Sequence, residues 1–301
     1  MDAQVIENFW NRVRNNSTTI ETTWDQETAH LYQLGISMEE TLRYLHEEKP
    51  TPIEFKNWIQ QKEKKVKTKT DAIADVLTKE DLDFWETNGY VVVKNAISEE
   101  DCLKTQKAIW QFLEKNPEDA TTWYKTHTEQ KGLMVNFFNH PTLEKNRASL
   151  KIQKAYEQLY GTNEIYKTID KVSFNPPITT DYSFLGSKLH WDVSLKQPIP
   201  FRLQGLLYLS DCNDNEGAFH CVPGFHHHIE NWMQSLSPTD NPREVALKTL
   251  VPIPITGKAG DFIIWHQALP HCATPNYGKK PRLVQYLTYF PEKYTENLEW
   301  I

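Results

Sequence analysis

The chain has 301 residues, 39% of them hydrophobic and 24% charged, with a formal net charge of -7. That length suits one large domain or two ordinary ones, with a core that needs no disulfide staples. The acidic balance argues against nucleic acid as a partner, no apolar run reaches the roughly 20 residues of a membrane helix, and ten tryptophans argue against a disordered chain.

Met1 to Trp10 carries Asp2 and Glu7 and no apolar stretch of the secretory kind. Glu299-Trp300-Ile301 is not a peroxisomal address. Cys102, Cys212, Cys221 and Cys272 form no CxxC pair, so free thiols in a reducing cytoplasm are expected. Ser37-Met38-Glu39-Glu40 has the pattern of a capping box, and Leu42, Tyr44 and Leu45 follow with helical spacing. Pro50 and Pro52 end that helix, and a second one is expected from Pro52 to about Lys67, with Phe55, Trp58 and Ile59 as its stripe. Lys62, Lys64, Lys65, Lys67 and Lys69 read as a solvated linker or helix face. Residues 1–75 are therefore expected to form a helical N-terminal module, and residues 76–301 a second domain.

Thr78 to Asp81 caps a short helix, Leu82 to Glu86; Asn88-Gly89 marks a turn, and Tyr90 to Val93 a buried strand. Ser98 starts a helix that runs to about Lys115. From residue 165 short strands dominate, with candidates at 171–175, 187–192, 201–209, 217–222, 261–265 and 282–290, separated by turns rich in Gly, Pro, Asn and Asp. That pattern predicts a mainly β fold, a sandwich or barrel with framing helices.

Two short stretches carry chemistry. In His190-Trp191-Asp192, strand geometry would put His190 and Asp192 on one face and Trp191 on the other. Downstream, Gly260-Asp261 turns into a strand and Pro270-His271-Cys272 follows. A barrel would return His271 beside the first pair. Two imidazoles and one carboxylate on one face of an octahedral ion leave three adjacent positions open, which suits Fe(II) with a chelating keto acid and O₂. On the next strand Arg282 faces inward with Val284 and Tyr286, placed to bind a second carboxylate bidentately.

These stretches, together with Phe84-Trp85-Glu86-Thr87-Asn88-Gly89-Tyr90-Val91-Val92-Val93 and Gly217-Ala218-Phe219-His220-Cys221-Val222-Pro223-Gly224-Phe225-His226, resemble the phytanoyl-CoA dioxygenase-like Fe(II)/2-oxoglutarate oxygenases over roughly residues 80–290. The resemblance implies a double-stranded β-helix core (a jelly roll, cupin-like). It implies His190, Asp192 and His271 as iron ligands and Arg282 as partner of the 2-oxoglutarate C5 carboxylate. Two positions depart from the family: Ala273 with Thr274 next, where a hydroxyl is usual, and Phe225 in the Pro-Gly turn. Thr274 and Gln204 are candidate second contacts to 2-oxoglutarate; Lys171, Ser173 and Asn175 also lie on strands able to face the barrel. The presence of Asp192 argues against a halogenase, in which Ala or Gly replaces that ligand.

Several residues have plain readings. His226-His227-His228 cannot all face one ion and reads as surface or capping; His266 reads as packing, and Cys272 as a small buried hydrophobe. Trp191, Trp265 and His220 are candidates to line the substrate site, although aromatics at strand spacing are more often core. The expected activity is oxidation of a C–H bond in a small polar metabolite, with release of succinate and CO₂, by a monomer or homodimer. The rivals are a zinc-type hydrolase, which gives Arg282 no required role, and a non-catalytic jelly-roll binding protein in which the triad is structural or vacant.

Overall fold

The computed structural model describes residues 2–16, 22–62, 73–294 and 299–301. The lysine-rich stretch beyond Lys62, and with it the expected end of the helix at Lys67, lies outside the described residues.

Four helices come first: α1 (Asp2–Asn15), α2 (Trp24–Gln33), α3 (Met38–Glu47) and α4 (Pro52–Lys62). They enclose a cluster of their own, made of Phe9, Leu31, Ile36, Leu45, Phe55 and Ile59. Ser37 caps α3 by accepting from the Glu40 backbone N–H at 3.0 Å. The Glu40 carboxylate turns instead to Lys62 at 2.6 Å, so only half of the expected capping box forms.

The rest of the chain builds α5 (Lys79–Asn88), β1 (Tyr90–Val93), α6 (Glu99–Phe112), β2 (Gln130–Lys131), β3 (Met134–Val135), α7 (Pro141–Arg147), α8 (Leu150–Tyr160), β4 (Ile165–Lys167) and β5 (Val172–Asn175). It continues with β6 (Leu203–Tyr208), β7 (Phe219–Cys221), α9 (Ile229–Ser235), α10 (Pro242–Thr249), β8 (Ile253–Ile255), β9 (Phe262–His266), β10 (His271–Cys272), β11 (Arg282–Tyr286) and β12 (Tyr289–Pro291). A seven-stranded antiparallel sheet has the order β1-β9-β6-β11-β5-β3-β2, a smaller one the order β10-β7-β8, and β12 pairs with β4.

Alternation along the strands decides what each face does. Leu206, Tyr208, Ile263, Trp265 and Val284 of the large sheet share one core with Phe219, Cys221 and Ile255 of the small sheet. Their neighbours Leu207, Phe262, Ile264 and Leu283 face the other way and pack on Ile109 of α6 and on Ile152 and Tyr156 of α8. Because helices bury the second face of the large sheet, more of the described residues lie in helices than in strands. The fold is a mixed one, not the mainly β one expected.

Three boundaries also differ. The expected strand at 187–192 does not form; that segment makes one isolated bridge, His190 to His271. The expected strand at 282–290 divides into β11 and β12, because after Tyr286 the chain leaves the large sheet to pair with β4. Asn88-Gly89 is the end of a longer α5: Gly89 caps it at φ +73, where an added Cβ would meet the His226 ring at 2.5 Å.

Candidate metal centre

His190, Asp192 and His271 each offer a ligand atom, all within 4.8 Å of one another. Asp192 reaches both imidazoles: its Oδ1 lies 3.3 Å from His190 Nε2 and its Oδ2 lies 3.3 Å from His271 Nε2. The join is made by backbone. His190 N donates to His271 O at 3.0 Å, and His271 N returns the bond at 2.9 Å. His271 is in turn held in the small sheet opposite Cys221. The strand-face argument for His190 and Asp192 is thus replaced by a single bridge followed by a bend.

Both ring orientations suit metal binding. His190 Nδ1 lies 2.7 Å from the Lys188 carbonyl, and His271 Nδ1 lies 3.1 Å from the Leu269 carbonyl. A carbonyl only accepts, so each Nδ1 carries the hydrogen and each Nε2 is turned to the centre. Burial opposes the charged form of Asp192, yet the hydrogen bonds from His190 and His271 win and hold its carboxyl well below the usual range. Burial likewise works against the His190 cation, and the Asp192 carboxylate overcomes it, raising that imidazole. Protons and a cation therefore compete for the same three groups.

A second layer fixes the carboxylate. Gln204 Nε2 donates to Asp192 Oδ2 at 2.8 Å, and Trp265 Nε1 donates to Gln204 Oε1 at 3.0 Å. Gln204 and Trp265 are direct partners on β6 and β9. Arg243 of α10 grips the chain on both sides of Asp192, donating to the carbonyls of Trp191 and Val193, each at 2.9 Å. Leu195 N then donates to Ile301 O at 3.1 Å. Sequence reasoning missed Arg243, because its partners are backbone carbonyls and leave no motif.

Arg282 sits in the large sheet opposite Asn175 and is 2% exposed. Its Nη2 donates to Ser173 Oγ at 3.2 Å. Its Nε is buried with no hydrogen-bond partner, as is Asn175 Oδ1. A buried guanidinium with an unfilled donor is unfavourable unless an anion completes it, and a carboxylate matches its fork. The charges of Arg282 and Asp192 both act on the Tyr286 hydroxyl, which burial pushes up. Arg282 and Val284 alternate onto one face of β11, Val284 shares a core with Trp265 of β9, and the Trp265 and His271 rings lie 5.2 Å apart, so the guanidinium and the triad lie on the same side of the large sheet.

The other candidates are arranged as follows. Thr274 Oγ1 donates to the Ala218 carbonyl at 3.1 Å and lies 3.5 Å from His220 Nδ1. The Thr274 carbonyl accepts from Asn175 Nδ2 at 3.0 Å, which sets it beside the Arg282 end of β5. The amide of Gln204 is spent on Asp192 and Trp265. Trp191 is 2% exposed, lies tilted against Phe225 and Trp232, and donates to the Ala268 carbonyl at 2.8 Å, the surroundings of a core residue. Trp265 is likewise buried; it packs on Phe219 with centroids 4.5 Å apart and props Gln204. His266 accepts from Ala268 N at 3.0 Å and packs near His226. Burial moves the Cys272 thiol up to about 11, in keeping with an inert buried side chain.

Comparison with known proteins gives three kinds of match. The profile of the phytanoyl-CoA dioxygenase (PhyH) family matches residues 85–284. A Dictyostelium discoideum protein provisionally named a phytanoyl-CoA dioxygenase is 25% identical over 261 residues, 69% of this chain and 74% of its own. Among solved structures, the non-heme α-ketoglutarate-dependent epimerase SnoN from nogalamycin biosynthesis aligns with a TM-score of 0.53 at 15% identity, over 72% of this chain and 84% of SnoN. The carbocyclase SnoK of the same biosynthesis aligns at 0.52 and 18% identity, over 77% and 89%. HygX of Streptomyces hygroscopicus, solved with nickel, 2-oxoglutarate and hygromycin B, aligns at 0.53 and 15% identity, over 73% and 90%. At these identities the structural likeness is one of fold.

Proposed function

Since the chain belongs to the phytanoyl-CoA dioxygenase (PhyH) family, we propose that it is an Fe(II)/2-oxoglutarate-dependent oxygenase that oxidises a C–H bond of a small polar metabolite. The core is then a double-stranded β-helix whose walls are the large and small sheets. Residues 1–75 form a separate helical module, a division supported by its own apolar cluster.

His190, Asp192 and His271 would hold Fe(II), and Arg282 would hold the C5 carboxylate of 2-oxoglutarate. The bound iron, 2-oxoglutarate and O₂ supply the oxidising power and yield succinate and CO₂. The protein's part is orientation and exclusion of water. The Lys188 and Leu269 carbonyls fix the two imidazoles, and Gln204 fixes the carboxylate. Arg282 offers Nε to a carboxylate inside a sheet where water has little access. Thr274 and Asn175 border the same end.

The observation that carries this reading is the unfilled Nε of buried Arg282 in the same interior as the triad. A hydrolase would use the triad alone and leave that cation without a purpose. Succinate formation tests the proposal: wild type with Fe(II), 2-oxoglutarate, O₂ and a metabolite pool is expected to release succinate. His190→Ala should abolish it and Arg282→Ala should lower it sharply. No iron-dependent succinate from wild type would overturn the oxygenase reading.

A further inference from the structure

A chamber of about 630 Å³ lies where the N-terminal helices meet the residues that lead into β5. It is of the size that holds a small ligand. One wall is Met38, Glu39, Leu42 and Arg43 of α3, and the opposite wall is Phe138, Ile169, Asp170 and Lys171. The two walls are tied by Lys171, whose Nζ donates to Glu39 Oε2 at 3.0 Å and to Asn136 Oδ1 at 3.3 Å. Tyr286 N donates to the Lys171 carbonyl at 3.1 Å, so the chamber borders β11 at its Tyr286 end.

Its charges are unevenly matched. Lys171 is paired with Glu39, and Arg43 is paired with Glu129 at 2.9 Å. Among the described residues Asp170 accepts only from the Lys171 backbone N–H at 2.8 Å, and no ion pair reaches its carboxylate. Nearby Arg147 donates to the Asp170 backbone carbonyl at 2.7 Å and pairs with Glu144 at 3.5 Å. Burial raises the Asp170 carboxyl, Lys171 and Arg147 lower it in part, and the charge of Asp192 raises it further. Burial and the charge of Asp170 also raise Tyr32, which keeps its hydroxyl proton and can accept or donate. A carboxylate left in that state gains most from an added cation with donors of its own.

We propose that this chamber is the substrate site and that it takes a small molecule bearing a protonated amine, with the ammonium on Asp170 and the apolar body against Leu42, Phe138 and Ile169. The identification as substrate site rests on the oxygenase reading; the preference for a cation does not. The N-terminal module then supplies half of the recognition surface, and α3 selects the substrate while the sheets hold the cofactor residues.

The test compares benzylamine, benzyl alcohol and benzoate by equilibrium dialysis on protein loaded with Mn(II) and 2-oxoglutarate, and again on metal-free protein. Wild type is expected to bind benzylamine at least tenfold more tightly than benzyl alcohol, and benzoate more weakly still. Asp170→Asn should bring the amine-to-alcohol ratio to within about twofold, and Asp170→Glu should keep most of it. Each ratio is taken within one protein, so a change in folded fraction cancels. Equal binding of amine and alcohol to wild type, no binding of benzylamine, or an unchanged ratio in Asp170→Asn would overturn the proposal. Failure to load Mn(II) with an intact amine preference would count against the oxygenase reading and leave the chamber assignment standing.

Discussion

Arg282 and Asp192 face the same interior, but the chain delivers them by different means. Arg282 lies on β11, between β5 and β6 in the seven-stranded sheet, and is 2% exposed. Asp192 lies on a segment joined to the sheets by one bridge, and its side chain is 53% exposed. A backbone ladder sets the position of the first. Side chains set the position of the second: Gln204 on its carboxylate and Arg243 on the carbonyls either side of it. Arg282 is therefore rigid by construction, whereas the segment that carries Asp192 is only as firm as its props.

Substitution of Arg282 gives the largest effect and tests the rigid arm. Arg282→Leu should raise KM for 2-oxoglutarate by roughly 100-fold or more, in line with loss of a buried charge pair, while the metal still binds. Arg282→Lys should recover only part of it, since a point charge cannot reproduce the fork. Steady-state titration of 2-oxoglutarate reads both.

Gln204→Leu tests the propped arm. Loss of a partner behind a ligand carboxylate typically lowers metal affinity by about 10–100-fold. Mn(II) binding followed by electron paramagnetic resonance should report that loss, with far-ultraviolet circular dichroism unchanged because β6 keeps its ladder. An unchanged affinity would mean that the loop is stiff without its prop.

Acid should loosen the propped side first. His266 ends β9, and its carbonyl accepts from Leu269 N at 2.9 Å in the turn leading to His271. Burial holds His266 down to about 3 and His226 down to about 4. Folded values below the ordinary one mean that stability is fully present above about pH 6.5 and is lost as pH falls toward 4. At pH 5.5 His266 should remove about 1.4 kcal/mol, and His226 less, because its partial exposure lets solvent screen the charge. His266→Asn, which can still accept from Ala268 N, should flatten the fall of Tm between pH 7 and 5.

The smallest effect is expected from Arg243→Ala, a fewfold rise in the Kd for Mn(II) as the loop around Asp192 gains freedom. Arg243→Lys should not restore it, because one ammonium does not span the Trp191 and Val193 carbonyls as the two guanidinium nitrogens do.

What the sequence disclosed follows the same division. The strands 172–175, 203–208, 219–221 and 262–266 fall within a residue or two of expectation, because apolar runs between turn residues carry their own signal; 282–290 was legible only up to Tyr286, where the chain changes sheet. The residue types of the triad and Arg282 were equally legible. The segment 187–192 was not, since its geometry depends on one distant bridge. The role of Trp191 as core depends on Phe225 and Trp232, which sequence does not place beside it. The short helices α7 and α10 are not among the expected elements: His140 is a weak cap signal, and Asn241-Pro242, although a good helix start, sits in a stretch rich in Ser, Pro, Asp and Asn that reads equally as a loop. The chamber at α3 was invisible because its walls come from residues more than a hundred positions apart, among them Glu39 and Lys171.

The central claim is that one interior holds both a metal and 2-oxoglutarate. An anaerobic titration tests it most directly: Fe(II) is added to the protein with and without 2-oxoglutarate, and the visible spectrum is followed. An absorption band is expected that needs both additions, is absent in Asp192→Ala, and in Arg282→Leu forms only at far higher 2-oxoglutarate. No band in wild type, or a 2-oxoglutarate dependence unchanged by Arg282→Leu, would contradict that claim.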